Sequence, residues 1–249
     1  MVLLEDQVFV AYDQQDIICI YRLDDLQPVD VIKLGGLQLA NDLVCCCQSR
    51  QLYVADLTHC VWRVSLDDHR RRVKKWIPNK RSPEDISPLS LSVTSRQVLV
   101  TSYDGDELRL YSSDGRLATR VTLPTTSKAR HAVQTPNGTF VACRTLPRHD
   151  VIEVDASGHV MRVNSAELNW PRRLSLCVNG DVMVLDSGSS RLMLLDGRLR
   201  LKRILLDREQ DGLMNPWRLS YTVDTGQLVI SDLSSHVDRQ WRIAVFNLI

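Results

Sequence analysis

Short apolar segments recur along the whole chain, and each is followed by a polar or glycine-containing turn. One phrase appears six times in related form, as VFVAYD, LYVAD, VLVTS, TFVAC, VMVLD and LVISD. Spacings of 44, 46, 41, 43 and 46 residues separate its equivalent positions, which are Val10, Val54, Val100, Val141, Val184 and Ile230. A period of roughly 40–45 residues is typical of repeats that each form a four-stranded sheet.

Each repeat unit contains further short apolar runs. In the fifth unit RLSLCV, VMVLD, RLMLLD and LKRILLD are separated by turns, the first of which is Asn179-Gly180. Asn-Gly, Asp-Gly and Ser-Gly pairs between apolar runs are typical of antiparallel hairpins, and no segment has a sustained helical period. The pattern therefore predicts an all-β fold with little helix: a six-bladed β-propeller of four-stranded antiparallel blades.

The predicted units cover about residues 1–34, 35–78, 79–124, 125–166, 167–207 and 208–249 of a single domain. A four-stranded sheet has two apolar faces, and stacking sheets around an axis buries each against its neighbours. The sixth unit has predicted strands only at about 217–222, 228–231 and 241–246, so we expect its outermost strand to be missing. Closure would then use residues upstream of Met1, and we expect either a fragment of a longer protein or an imperfectly closed ring.

The composition, with 44% hydrophobic and 24% charged residues, is that of a soluble globular protein. A formal net charge of +1 argues against a dedicated nucleic-acid-binding protein. The seven cysteines are odd in number and three are adjacent, which favours free thiols in a reducing compartment over a disulfide framework. Neither a signal-peptide pattern nor an apolar run of ~20 residues is present, so we expect a soluble cytoplasmic protein.

The phrases that carry the repeat resemble the NHL-repeat family. The fifth unit has WPRRL at residues 170–174 before VMVLD, and the sixth has PWRL at residues 216–219 before LVISD. The resemblance covers essentially the whole chain, although Ser102 and Cys143 replace the Asp that ends this phrase in other units. It implies a six-bladed propeller that binds protein or RNA, as found at the C-terminus of tripartite-motif proteins. The Cys/His clusters of RING and B-box segments, which a ubiquitin ligase would need, do not occur, nor do WD40 signatures.

Basic residues stand at the entries of three consecutive blades, where the first strand lines the predicted channel. Arginine binds carboxylates and phosphates through two parallel hydrogen bonds, and a concave rim concentrates the field of several such groups. Trp217 adds a stacking surface. The alternative is that these arginines pair with acidic residues of neighbouring blades and only stabilise the fold. The candidate partner-binding residues are Arg130, His131, Arg172, Arg173, Trp217 and Arg218.

Two other clusters favour a structural interpretation. The basic run at residues 69–76, with Lys80-Arg81, resembles a nucleic-acid patch, but a charged outer strand also protects a sheet edge, and we favour that reading. Cys45, Cys46 and Cys47 are adjacent, and neighbouring side chains of a strand point to opposite faces, which favours core packing over a zinc site. No cofactor and no metal are predicted.

The competing enzyme class is the six-bladed lactonase or hydrolase type, whose calcium ion needs convergent oxygen ligands. Asn41 and Asp42 stand at one blade entry, but His131, Arg173 and Arg218 occupy the corresponding positions, and cations oppose metal binding. Neither Gly-x-Ser-x-Gly nor His-Glu-x-x-His occurs. The sequence therefore predicts a non-catalytic scaffold module that binds a protein or an acidic peptide, with RNA binding as the alternative.

Overall fold

The computed structural model describes the chain except for residues 13–14, 59, 68–70, 78–85, 95–96, 104–105, 125–127, 146–147, 223–224, 234–240 and 248–249. The chain falls into two compact units, Met1–Arg120 and Val121–Ile249. The single-domain organisation stays a prediction.

The first three sheets are antiparallel, and their strands are neighbours in chain order. Sheet one contains β1 (Val2–Leu4), β2 (Gln7–Ala11), β3 (Ile17–Arg22) and β4 (Pro28–Lys33). Sheet two contains β5 (Ala40–Cys46), β6 (Gln51–Asp56), β7 (Cys60–Ser65) and β8 (Val73–Ile77). Sheet three contains β9 (Pro88–Val93), β10 (Gln97–Ser102), β11 (Glu107–Ser112) and β12 (Leu117–Thr122).

The next three sheets follow the same order. Sheet four contains β13 (Ala129–Gln134), β14 (Phe140–Arg144), β15 (Asp150–Val154) and β16 (Val160–Asn164). Sheet five contains β17 (Pro171–Leu176), β18 (Val182–Asp186), β19 (Arg191–Leu195) and β20 (Leu201–Leu206), and the short helix α1 (Arg208–Asp211) follows it. Sheet six has only β21 (Arg218–Thr222), β22 (Gln227–Leu233) and β23 (Trp241–Asn247). Within the described residues, the predicted sheets, the scarcity of helix and the three-stranded last sheet are confirmed.

The inner strands of the sheets are deeply buried, because both of their faces are covered. In β6 Leu52, Val54 and Ala55 have no exposed surface. Side chains of successive sheets pack together: Phe9 lies in one cluster with Trp62, and Val141 lies in one with Leu174. Outer strands such as β4 and β16 are largely exposed. Apolar burial between successive sheets is therefore the main stabilising contribution within each unit.

A β-bulge near the start of the first strand is repeated in sheets two to five, where the register with the second strand shifts by one residue. A bulge changes the directions in which the neighbouring side chains point. The extra residue is half-buried, whereas the polar residue that follows it is buried. The extra residues are Asn41, Leu89, Arg130 and Arg172, and the buried residues that follow them are Asp42, Ser90, His131 and Arg173.

A buried aspartate is the last residue of the second strand in sheets two and five and the last but one in sheet six. Its carboxylate accepts hydrogen bonds from backbone amides of the loop that enters the same sheet. Asp56 accepts from Gln38 and Leu39, Asp186 from Asn169, and Asp232 from Met214. All three aspartates have no exposed surface. The aspartate of the repeated phrase thus holds the entry loop, and with it the start of the first strand.

Candidate functional site

Basic and aromatic side chains from the starts of β13, β17 and β21 come together in the second unit. The guanidinium carbon of Arg172 lies 3.4 Å from the centroid of the Trp217 ring and 5.9 Å from that of Trp170. The guanidinium of Arg218 lies 5.7 Å from the Trp217 ring. Arg130 is close enough for its charge to act on Arg172. We call these five residues the arginine–tryptophan cluster.

Arg172 is the centre of this cluster. Its burial, and then the charges of Arg130 and Arg218, lower the pKa of Arg172 to about 10, so the group is still protonated at neutral pH. Its Nε atom is buried without a hydrogen-bond partner, and no carboxylate of the described residues pairs with it. A partly buried cation without an anionic partner is unfavourable. The cluster is therefore suited to receive an anion.

Trp170 adds a second unsatisfied donor to the cluster. Its indole Nε1 is buried and has no hydrogen-bond partner among the described residues. Its backbone has a φ of 75°, which is a strained conformation for a bulky side chain. The His149 ring contacts Trp170 edge-on at 5.3 Å between centroids. Strained residues are often kept at ligand sites, and this one places its indole beside Arg172.

The cluster extends from Trp217 to the surface. The Trp217 and Trp241 rings meet edge to face, with 5.7 Å between their centroids, and Trp241 is 56% exposed. On the other flank, Nε of Arg130 donates to Oγ1 of Thr145 at 3.1 Å. The guanidinium groups of the cluster thus lie beside an exposed aromatic surface, that of Trp241.

The structure brings together four of the six predicted residues, namely Arg130, Arg172, Trp217 and Arg218. The other two are buried: His131 is 2% exposed and Arg173 is 5% exposed. Nδ1 of His131 accepts a hydrogen bond from the backbone N–H of Leu174 at 3.2 Å, which links β13 to β17. Burial of His131 and Arg173 does not fit the predicted contact with a partner. The bulge accounts for this burial, and whether these two residues take part in partner binding stays a prediction.

The hydrogen bond of His131 has a counterpart in the first unit. Oδ2 of the buried Asp42 accepts from the backbone N–H of Leu91 at 2.7 Å and links β5 to β9. Nδ2 of Asn41 also donates to the Leu89 carbonyl oxygen. The polar entry residues of sheet two are thus used to join two sheets.

The alternative interpretation is that the candidate arginines pair with acidic residues of neighbouring blades and only stabilise the fold. It does not fit Arg130 or Arg172, because neither forms an ion pair with a carboxylate in the described part of the chain.

The other sequence clusters have ordinary surroundings where they are described. Lys74 and Lys75 are exposed on β8, and Arg71 pairs with Asp30 at 2.5 Å. Residues 69–70 and 80–81 of the basic run lie outside the described residues. Cys45 is buried, which raises the pKa of its thiol, and all seven cysteines are free thiols. No three His, Cys, Asp or Glu side chains of the described residues are grouped to hold a metal ion.

Asp186, beside the loop that carries Trp170, is a buried carboxylate with uneven hydrogen bonding. Its Oδ2 accepts from the Asn169 amide at 2.8 Å and from Oγ of Ser189 at 2.6 Å. Its Oδ1 is buried without a partner among the described residues. Burial raises the pKa of Asp186 to about 6, although the bonds from Ser189 and Asn169 act in the opposite direction.

The free energy of unfolding is therefore expected to fall as the pH rises from about 4 to about 6, since the folded state holds this proton more tightly than the unfolded chain. Asp186→Asn removes the titration, and we expect it to be more stable than the wild type at pH 7 by about 1–3 kcal/mol. Urea unfolding between pH 3.5 and 7.5 measures both effects. Asp25→Asn, at an exposed carboxylate, is the control. Parallel pH profiles for the wild type and Asp186→Asn would contradict the expectation.

No protein-family model and no curated protein matches the sequence. Solved structures do match. A protein of unknown function from Bacteroides caccae has a TM-score of 0.74 at 12% identity, covering 98% of this chain and 90% of that chain. The WD40 β-propeller domain of Doa1 has a TM-score of 0.65 at 14% identity, covering 98% and 80%. A chain of a nidogen/laminin complex has a TM-score of 0.67 at 17% identity, covering 97% and 98%.

At 12–17% identity these likenesses show the fold alone. They do not test the NHL resemblance or the cytoplasmic location, which stay predictions. Within the described ranges, no helix is both long and apolar enough to span a bilayer. The chain has the β-propeller fold with six blades, of which five have four strands and the last, in the described residues, has three.

Proposed function

We propose that the chain is a non-catalytic protein-binding module that uses the arginine–tryptophan cluster as its contact surface. The observation that carries this proposal is the Arg172 guanidinium, which is stacked on Trp217 and has no carboxylate partner in the described part of the chain. Tryptophan and arginine dominate the binding energy of many protein interfaces. One of the solved structures that share this fold comes from a nidogen/laminin complex, which supports a protein partner.

The favoured ligand is an acidic segment of a partner protein. Stacking on Trp217 covers a face of the Arg172 guanidinium, and a guanidinium pairs with a carboxylate through the N–H groups at its edge. Arg130 and Arg218 add positive charge around it. The net charge of the whole chain is only +1, so the attraction is local to the cluster.

The proposed role is non-catalytic because of the chemistry of the cluster. Arginine and tryptophan bind anions and aromatic groups, but they supply neither a general base nor ligands for a metal ion. RNA binding is the second candidate, since Trp217 and Trp241 offer surfaces on which bases stack beside positive charge.

The proposal is tested with a fluorescein-labelled hexaglutamate peptide and a 12-nucleotide uridine RNA, in anisotropy titrations against the wild type, Arg172→Glu and Arg198→Glu. We expect Arg172→Glu to weaken peptide binding by about tenfold or more, because it replaces the central cation by an anion. Arg198→Glu makes the same charge change at an exposed turn, and we expect it to have little effect. Circular dichroism verifies that both variants are folded.

RNA binding that falls steeply with salt and is lost in Arg172→Glu, without peptide binding, would replace the proposal by the RNA alternative. Equal losses in the two variants, or no binding of either probe, would contradict it.

A further inference from the structure

The last sheet has an open edge in the described part of the chain. The other five sheets have four strands, whereas β23 pairs only with β22, over seven residues without a register shift. Every second residue of such a strand therefore directs its backbone N–H and C=O away from β22. Natural proteins guard exposed edges with lysine, proline or bulges. The β23 sequence WRIAVFN has none of these, and its only charged residue, Arg242, is bound to Asp232 at 2.6 Å.

Apolar side chains lie along this edge strand. Trp241 is 56% exposed and Val245 is 38% exposed. They lie four residues apart, so they are on the same face of the strand. Phe246 is on the opposite face, where it packs against the core cluster of sheets five and six. An added strand would thus find unpaired backbone groups and exposed apolar surface together.

The open edge begins beside the arginine–tryptophan cluster. Trp241 is the first residue of β23. Its ring contacts the Trp217 ring, on which the Arg172 guanidinium is stacked. A fourth strand would lie three strand spacings from β21, or about 14 Å. Extended chain advances about 3.3 Å per residue, so roughly four residues lead from the end of such a strand to the cluster.

We propose that the acidic ligand is an extended segment of a partner protein that adds to β23 as a fourth strand. The acidic residues that follow this strand in the partner then contact the arginine–tryptophan cluster. This inference rests on the proposed function. The strands β4, β8, β16 and β20 all run antiparallel to the third strand of their sheets. A partner strand in the same direction ends beside Trp241, which puts its acidic residues on the C-terminal side.

Charge complementarity favours such a partner over a second copy of β23. The positive cluster at the start of the edge calls for an anion, and β23 contains no Asp or Glu. Strand addition also obtains affinity from backbone hydrogen bonds and selectivity from neighbouring side-chain contacts.

Three peptides test the proposal against the full chain. The first has six alternating Thr and Val residues, then Gly-Ser-Gly-Ser, then six Glu; the second has the same three blocks in reverse order; the third is hexaglutamate alone. We expect the first to bind about tenfold more tightly than hexaglutamate, and the second to gain nothing. Hydrogen exchange measured by NMR should show that the first peptide protects every second amide of β23.

A matched pair of variants adds a control. Val245→Lys places a charge on the proposed contact face, and we expect it to weaken binding of the first peptide more than that of hexaglutamate. Val178→Lys makes the same change at a 79% exposed valine outside this sheet, and we expect no change.

Each outcome decides between the two proposals. If the first peptide binds no better than hexaglutamate and leaves β23 unprotected, strand addition is wrong and the proposed function stands. If no peptide binds, the proposed function fails with it. Protection of every second amide of β23 before any peptide is added also overturns the inference. If this protection rises with protein concentration, a second copy of the chain occupies the edge. If it is independent of concentration, another segment of the same chain occupies the edge.

Discussion

Replacement of Asp56 by alanine is expected to lower the free energy of unfolding by about 4 kcal/mol, since it leaves several buried donors without an acceptor. The carboxylate of Asp56 has no exposed surface and accepts from the Gln38 amide at 3.2 Å, the Thr58 amide at 3.0 Å and Nε1 of Trp62 at 3.2 Å. Burial alone would raise the pKa of Asp56, but these hydrogen bonds outweigh it and the pKa is lowered. The loss should therefore be largest at neutral pH, where the carboxylate is ionised.

Asp25→Ala is the matched control for this variant. Asp25 also accepts hydrogen bonds and pairs with Arg22, but its side chain is 42% exposed. Exposed ion pairs contribute little, so we expect a change within about 0.5 kcal/mol. Urea unfolding at pH 7, followed by tryptophan fluorescence, measures both variants. Equal changes would mean that the aspartate of the repeated phrase does not hold the entry loop.

Gly188→Ala is expected to destabilise the chain by about 3 kcal/mol and to disturb the arginine–tryptophan cluster. A Cβ atom at this position would lie 2.2 Å from the carbonyl oxygen of Asn169 and 2.7 Å from its Cγ. The Gly188 amide also donates to that carbonyl at 2.7 Å, so the two backbone segments must separate. Overpacking of this kind typically costs about 1–3 kcal/mol. Trp170 follows Asn169 directly, so we expect weaker binding of the hexaglutamate peptide as well.

Gly197→Ala controls for the loss of a glycine. Neither Gly188 nor Gly197 has a positive φ, but a Cβ at Gly197 would lie 3.7 Å from the nearest carbonyl oxygen, which is an ordinary contact. We expect Gly197→Ala to leave stability within about 0.5 kcal/mol and peptide binding unchanged. Thermal unfolding and anisotropy measure the two effects. If Gly188→Ala unfolds like the wild type, the close approach of Gly188 to Asn169 is not required.

The hydrophobic pattern was sufficient to predict the sheets, because a buried strand must have apolar side chains on the faces that pack against adjacent sheets. The strand predicted at about 217–222 is observed at Arg218–Thr222, and the one predicted at about 241–246 is observed at Trp241–Asn247. The repeated aspartate was visible in the sequence, but its hydrogen bonds to the entry loop were not. The role of this aspartate could not be inferred from the repeat alone, because not every sheet has it. Sheet four has Cys143 at this position and forms an ion pair between Arg144 and Asp150.

The candidate site could be predicted only in part. Basic residues at the blade entries were evident in the sequence. A bulge, however, is not marked by a particular residue type, and it changes which of two adjacent side chains is exposed. The sequence therefore could not separate Arg172 from Arg173, of which the second is buried. Trp170 was absent from the predicted site, although WPRRL and PWRL both place a tryptophan next to arginine. His149 comes from the distant loop before β15, and its contact with Trp170 depends on the fold.

The repeated bulge separates two kinds of position at the entries of sheets two to five. The inward residue, such as Asp42 or His131, joins one sheet to the next, and its replacement would affect the whole assembly of strands. The bulged residue one position earlier is Arg130 in sheet four and Arg172 in sheet five. Among the described residues, neither side chain forms a hydrogen bond that joins two sheets. We therefore expect that substitutions of the bulged side chain can alter the ligand preference of the surface while the contacts between sheets are kept.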